Sequence, residues 1–339
     1  MKHGAAVGLF ALVCALPQRA SAWEAETTQA GLAEQAALGS KLHRRIVTLG
    51  FSGGLFEQLT IPPADAHALL DDLHLLSPAQ GIVPDARGRQ TALAWIAAGA
   101  ALADIRAAFG ANHFFDPATG KGWERPDRGV IASIAAAFRA TLPAHGMPAP
   151  DWVVANDNPM GLGAFVEHYA KAASAPSPGE RSRHLAAALL AAGAMMHVLG
   201  DLGSPSRVRG DEAAHLDSLG GGPEDLGSRF ERIAALAYGR LGIPAPTRPV
   251  TRTHLRDYYT AKDGSGLADV ISRSYFSPHT LPSDARVGGN EVPELARPLP
   301  ALPKKLNLMA ASRDDGAKLV NSAGVCLARY KVEHSRVSF

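Results

Sequence analysis

The sequence predicts a mainly α-helical protein that folds as a single-domain helical bundle with an irregular C-terminal third. Alanine is abundant and β-branched residues are sparse, a composition that favours helices over strands. Several long windows contain almost no glycine or proline, the residues that interrupt helices. From Pro244 onward, proline, glycine and serine become more frequent, and neither a repeat nor a strong linker divides the chain. We therefore expect one domain over residues 23–339.

The first 22 residues have the pattern of a cleaved signal peptide. A short basic start is followed by an apolar run from Gly4 to Leu16, and then by the small residues Ala20, Ser21 and Ala22. The apolar run is too short for a transmembrane anchor, and no second long apolar segment follows it. We expect cleavage to leave Trp23 as the first residue of an exported protein, periplasmic or secreted, without a transmembrane segment.

Charge and cysteine content exclude some classes of protein. Residues 1–22 contain Lys2 and Arg19, so cleavage reduces 34 basic residues to 32 against 32 acidic ones. A neutral chain argues against a broad electrostatic surface that binds nucleic acid. Cys14 is lost with the signal peptide, so Cys326 can form no disulfide within the chain. Stability must then come from the core or from bound metal.

The predicted helices lie between clusters of glycine and proline. The first covers residues 24–49 and ends at Gly50. The window 180–199 is the most helical, and its apolar residues cover most of the helix surface, which predicts a helix at the centre of the bundle. The other predicted helices cover residues 64–76, part of 91–109, 130–142, 159–173, 226–241 and 317–330.

His197 and Asp201 stand four residues apart at the end of the central helix. Positions i and i+4 share one helical face, so an imidazole and a carboxylate there can bind one ion. Taken alone, this pair is equally typical of a polar helix end. The apolar setting sharpens the interpretation, because unpaired charge is costly there and a metal ion would satisfy both groups.

Four further residues are candidate ligands. His113 stands between a helix end and a turn, and Asp104 approaches the same point if the chain reverses between them. His43, considered alone, is typical of a surface histidine on a helix. After signal cleavage, Trp23 offers its amino group and its carbonyl oxygen as a five-membered chelate, because a metal can displace the amine proton near neutral pH.

Together these elements resemble the bacterial zinc-dependent phospholipase C family, a relative of the single-strand-specific fungal nucleases. Trp23 after Ala20-Ser21-Ala22 is similar to the family's mature N-terminus, and His43 in Leu-His-Arg-Arg-Ile-Val is similar to its helical histidine. Segments 113–117 and 197–201 resemble its His-Phe-Tyr-Asp-Pro and His-x-Leu-Gly-Asp elements. The match covers most of the mature chain in order but is specific only at these motifs.

The resemblance implies a multi-zinc site within the helical bundle. Two zinc ions would share Asp201. One would be bound by Asp104, His113, His197 and Asp201, and the other by the amine and carbonyl of Trp23, by His43 and by Asp201.

A third zinc site of the family is incomplete in this sequence. Its first histidine is replaced by Arg207, and of its His-x-x-x-Glu pair Glu231 is present while Gly227 stands in the histidine position. Our hypothesis is that Arg207 replaces the third cation, because a guanidinium fork suits phosphate oxygens, and that Glu231 orients it. A decayed site, or substitute ligands at His215 or Asp225, are alternatives.

The implied function is that of a secreted zinc-dependent phosphoester hydrolase similar to phospholipase C. A hydroxide bridging the zinc pair would attack phosphorus in line with the leaving alcohol. The resemblance further suggests Asp104 as a base and Glu26 as a contact to the substrate head group. The expected partner is a phospholipid or another small phosphoester, reached by transient contact with a membrane surface.

Two other functions stay open at this point. A nuclease is disfavoured because residues 24–42 contain no histidine, whereas the fungal relatives carry one close behind the N-terminal Trp. A non-catalytic zinc-binding relative is favoured somewhat by the incomplete third site.

Overall fold

The computed structural model describes residues 25–63, 66–76, 81–124, 143–211 and 250–275, five single positions (230, 231, 234, 238 and 277), and four strands between 307 and 338. Helices predominate in this part of the chain, which confirms the predicted mainly α class. The predicted signal peptide and Trp23 lie outside the described residues, as does the predicted helix over 130–142.

The N-terminal half consists of short helices and one two-stranded sheet. A π-helical turn, Ala25–Gln29, continues into α1, Ala30–Gly39; then come α2, Leu42–Thr48, and a 3-10 turn, Gly54–Phe56. Strand β1, Gln58–Thr60, pairs antiparallel with β2, Arg89–Thr91, and α3, His67–His74, lies between them in sequence. They are followed by α4, Ala92–Leu102, α5, Ala107–Gly110, and a 3-10 turn, Ala111–His113.

The helices in the later part of the described chain include one long helix, Pro178–Asp201. They are α6, Ala149–Trp152, α7, Leu162–Ser174, α8, Pro178–Asp201, α9, Pro205–Val208, α10, Arg256–Tyr259, and α11, Leu267–Ser274. The C-terminal strands form an antiparallel sheet in the order β3-β4-β5-β6, with bounds Asn307–Met309, Ala317–Val320, Cys326–Glu333 and Arg336–Ser338.

The central helix α8 begins at a capping box. The Glu180 amide donates to Ser177 Oγ at 3.2 Å, and the Ser177 amide donates to Glu180 Oε2 at 3.3 Å. Its length and composition would allow it to cross a bilayer, yet 67% of its most apolar window is buried inside the protein. Burial of this kind is typical of a core helix, as predicted for residues 180–199.

Two glycines let α4 and α8 approach each other closely. A Cβ atom at Gly99 would lie 2.0 Å from the carbonyl oxygen of Leu190, and one at Gly193 would lie 2.0 Å from that of Ile96. Both contacts are with backbone, which cannot rotate away. The helix pair is therefore held together along a glycine seam formed by Gly99 and Gly193.

We expect Gly99→Ala to lower the free energy of unfolding by about 1–3 kcal/mol or more, because the added methyl overpacks this seam. Gly163→Ala in α7 is the matched control, since no atom lies within 4 Å of its added Cβ. That change should be neutral or stabilising by up to about 1 kcal/mol. Urea unfolding followed by circular dichroism measures both variants, and equal midpoints would contradict the close approach.

Two helix predictions differ from the structure. The first predicted helix is interrupted at Ser40 and Lys41, and the helix predicted over 317–330 is wrong. The latter segment contains β4 and most of β5 instead. Apolar and charged residues alternate from Ala328 to Glu333, and this period of two suits a strand, whereas a helix has a period of 3.6.

Candidate metal centre

Four predicted ligands meet where three segments end. Asp104 lies in the turn after α4, His113 ends the turn Ala111–His113, and His197 and Asp201 occupy the last turn of α8. Their side chains are buried, with residue exposures of 4% for Asp104 and 0% for the other three. One ligand atom from each lies within 4.8 Å of the others, so this cluster could hold a metal ion.

Both carboxylates of the cluster stand at the C-terminal ends of buried helices. The helix dipole places partial negative charge at that end, so it disfavours an additional anion there. Asp201 is the last residue of α8, and Asp104 follows α4 by two residues. Burial removes the water that would otherwise stabilise these charges. The local electrostatics therefore favour a cation between them.

The cluster contains buried polar atoms that lack hydrogen-bond partners among the described residues. These atoms are Asp104 Oδ2, His113 Nε2 and His197 Nε2. His197 Nδ1 lies 2.5 Å from the carbonyl oxygen of Ala100, to which it donates its proton, so Nε2 carries the lone pair of the neutral ring. This arrangement is typical of metal-binding histidines, whose second nitrogen is fixed by a carbonyl or carboxylate. The donor set thus fits a divalent ion.

Protonation of the cluster follows from its charges. Burial lowers the pKa of His197, but the carboxylates of Asp201 and Asp104 outweigh it and raise this pKa to about 10. Burial also dominates at His113 and lowers its pKa, although Asp201 opposes the change. Burial alone would raise the pKa of Asp201, yet Arg207 and His197 hold it well below its usual range. The carboxylates therefore stabilise a positive charge at His197 Nε2, which either a proton or a metal ion can supply.

Arg207 adds a fixed positive charge to one side of the cluster. Its Nη1 lies 3.2 Å from Asp201 Oδ2, and its Nε donates to Glu231 Oε1 at 3.0 Å. Both Arg207 and Glu231 are 1% exposed. The predicted pairing of Arg207 with Glu231 is confirmed by this contact. Nη1 has no hydrogen-bond partner among the described residues, so its contact with Asp201 is an ion pair only.

The backbone and an aromatic ring hold Arg207 next to the histidine segment. The Phe115 amide donates to the carbonyl oxygen of Arg207 at 3.1 Å, and the Arg207 guanidinium lies 4.9 Å from the centre of the Phe114 ring. Asp116 instead caps a local turn, because its carboxylate accepts from the Ala118 amide and the Thr119 hydroxyl. The segment after His113 thus positions the centre without supplying another ligand.

Gln29 belongs to the site, although no sequence motif identified it as a member. Its Nε2 donates to Asp201 Oδ1 at 2.9 Å across 172 residues of sequence. A Cβ atom at position 200 would lie 2.6 Å from Gln29 Oε1, so Gly200 makes room for this side chain. Gly200, which precedes Asp201, was the one sequence signal of this contact. A glycine there indicates that another group approaches the helix closely, but it does not identify that group.

Of the proposed ligands of a second ion, the structure describes His43 and Asp201, whereas Trp23 lies outside the described residues. His43 is exposed on α2, where its Nδ1 accepts from the Leu55 amide at 3.3 Å and its ring lies 6.1 Å from that of Phe56. It is not a member of the four-residue cluster. Glu26 lies in the first helical turn, but its side chain, like all of Trp23, is outside the described part of the chain. That His43 shares an ion with Asp201 stays a prediction, because Trp23, the other ligand of that ion, lies outside the described residues.

Among the described residues, the four-residue cluster together with Arg207 and Glu231 contains three carboxylates, of Asp104, Asp201 and Glu231, and one guanidinium. One divalent cation would balance the remaining negative charge when both histidines are neutral.

Comparison of the chain with protein-family models, with curated proteins and with solved structures finds no match.

Proposed function

We propose that the chain is a phosphoester hydrolase that uses one zinc ion bound by Asp104, His113, His197 and Asp201. The observation that carries this proposal is the buried Arg207 guanidinium, whose Nη1 has no hydrogen-bond partner and lies 3.2 Å from a ligand carboxylate. A cation and a metal site side by side suit a phosphate group, which needs both charge neutralisation and directed donors.

One ion is proposed in place of the two that the family resemblance implies. Asp201 would have to bridge the two ions, yet its Oδ1 accepts a hydrogen bond from Gln29. His43, a ligand of the second ion in that scheme, has its Nδ1 engaged by the Leu55 amide. The protein side chains at both positions therefore support a site with a single ion.

Three residues of the chain would each have a separate role in hydrolysis. Arg207 Nη1 would bind a phosphoryl oxygen, and Glu231 would fix the guanidinium plane through Nε. Asp104 Oδ2, buried without a hydrogen-bond partner, would accept the proton of the attacking water. A bound zinc ion supplies Lewis-acid chemistry, since it acidifies water and stabilises negative charge on phosphate. The proposed substrate is a phospholipid or another small phosphoester, as the family resemblance implies.

A non-catalytic metal-binding protein is the second candidate, and burial favours it. His113, His197 and Asp201 are 0% exposed, and four protein ligands fill a tetrahedral zinc site. Structural zinc sites have this closed form, whereas catalytic sites keep a position open for water or substrate.

The hydrolase is tested by purifying the mature protein and measuring metal content together with cleavage of bis(p-nitrophenyl) phosphate. We expect about one zinc per chain and a rate that chelation removes and zinc restores. Bound zinc without turnover supports the non-catalytic candidate, and absence of bound metal would overturn both. Phosphatidylcholine and single-stranded DNA, offered separately, distinguish a phospholipase from a nuclease.

A further inference from the structure

A cavity of about 330 Å³ lies between α3, α7, α8 and the segment after α4. Its walls are mainly apolar and include Leu69, Leu102, Phe109 and Leu190. The volume falls at the lower end of the range for small-molecule sites, about 300–1,000 Å³. None of the four cluster residues lines it, so the cavity is separate from the metal centre.

One cation on the cavity wall has no counter-ion among the residues that the structure describes. Arg106 lines the cavity but pairs with Asp72, at 2.7 Å between Nη2 and Oδ2. Arg183, half-buried on α8, forms no ion pair or hydrogen bond with any described residue. Since Asp72 is neutralised by Arg106, the charge left in the cavity is positive.

Two histidines line the same cavity and contact each other. His168 Nδ1 and His184 Nδ1 are 3.1 Å apart, and the rings stack with centroids 5.3 Å apart. A bond between two Nδ1 atoms needs one proton and leaves both Nε2 atoms outside it. When His168 supplies this proton, His184 accepts the bond at Nδ1 and carries its own proton on Nε2, which is then an N–H donor. His184 can thus add an N–H donor beside Arg183 on the cavity wall.

We propose that this cavity binds a small amphiphile with an apolar chain and an anionic end group, a carboxylate or a phosphate. The apolar walls contact the chain, and Arg183 together with His184 binds the anion. At about 30 Å³ per water-sized volume, the cavity of about 330 Å³ holds a ligand of roughly eleven heavy atoms, and decanoate has only one more.

Calorimetric titration of the full mature protein with hexanoate, octanoate and decanoate tests the apolar part. We expect the affinity to rise about fourfold per added methylene, which corresponds to about 0.8 kcal/mol each. Ala187→Phe, which places a ring on the cavity wall, should abolish binding of all three. Binding that does not depend on chain length would overturn the proposal.

Ligands with the same chain and different ends test the charge. Decanoate should bind at least tenfold more tightly than decanol, and decyltrimethylammonium should bind more weakly than either. Decyl phosphate against decanoate shows which anion is preferred. Arg183→Ala should weaken decanoate binding about tenfold and leave decanol within twofold, whereas the exposed control Arg44→Ala should change neither. Equal affinities for decanoate and decanol, or an unchanged Arg183→Ala variant, would refute the anion site.

Discussion

His197→Ala is expected to abolish stoichiometric metal binding. The change removes the Nε2 atom that lies 3.0 Å from Asp201 Oδ2 and 3.5 Å from Asp104 Oδ2. Loss of a residue that merely orients a ligand costs about 10–100-fold in metal affinity, so loss of a ligand should exceed about a hundredfold. Hydrolysis of the chromogenic phosphodiester, where the wild type shows it, should fall with the metal.

Competition with a chelating dye measures the affinity, and thermal unfolding with and without chelator gives an independent readout. Metal at a thousandfold excess over its dissociation constant stabilises the folded state by about 4 kcal/mol. The wild type should therefore unfold at a lower temperature when chelator is added, and His197→Ala should show no such shift. His67→Ala is the matched control, because the side chain of His67 is 84% exposed on α3. If His197→Ala bound metal as tightly as the wild type, the assignment of His197 as a metal ligand would be contradicted.

Replacing Arg207 with methionine is expected to destabilise the fold by about 3–5 kcal/mol. Arg207 is the cation beside Asp201 Oδ2 and the donor to Glu231 Oε1, and all three residues are buried. Removing one partner of a buried ion pair leaves the other charge uncompensated, which accounts for the size of this effect. Urea unfolding of the metal-loaded protein measures it.

A second substitution separates charge from packing. If the buried Glu231 carboxylate causes the loss, Glu231→Gln introduced into the Arg207→Met variant should recover part of the stability. Arg44→Met on the surface of α2 should stay within about 0.5 kcal/mol of the wild type. Arg207→Lys keeps the charge but not the fork, so we expect it to keep more stability than activity. Wild-type rates in Arg207→Ala on every cleaved phosphoester would rule out a phosphate-binding role.

The part of the site that the sequence could predict is local. His197 and Asp201 lie on one helical face four residues apart, and this geometry can be read without a fold. Asp104 and His113 needed only a chain reversal between them, which the turn after α4 provides. The family resemblance then joined the two pairs into one ligand set.

What the sequence could not give depends on long-range packing. Gln29 reaches Asp201 from 172 residues away, and nothing in its neighbourhood marks it as a donor to a buried carboxylate. His43 stands on a helix in a plausible motif, but α2 turns it toward Leu55. The alternation in β5 was visible, yet the alanine-rich composition of the whole chain favoured a helix there.

The glycine seam between α4 and α8 has a consequence for ion selectivity. The two helices supply three of the four ligands between them, since Asp104 follows α4 and His197 and Asp201 end α8. The backbone contacts at Gly99 and Gly193 therefore set the gap that the ion must fill. If the cluster binds a divalent ion as proposed, a bulkier residue at Gly193 should widen this gap and shift the preference toward ions of larger radius.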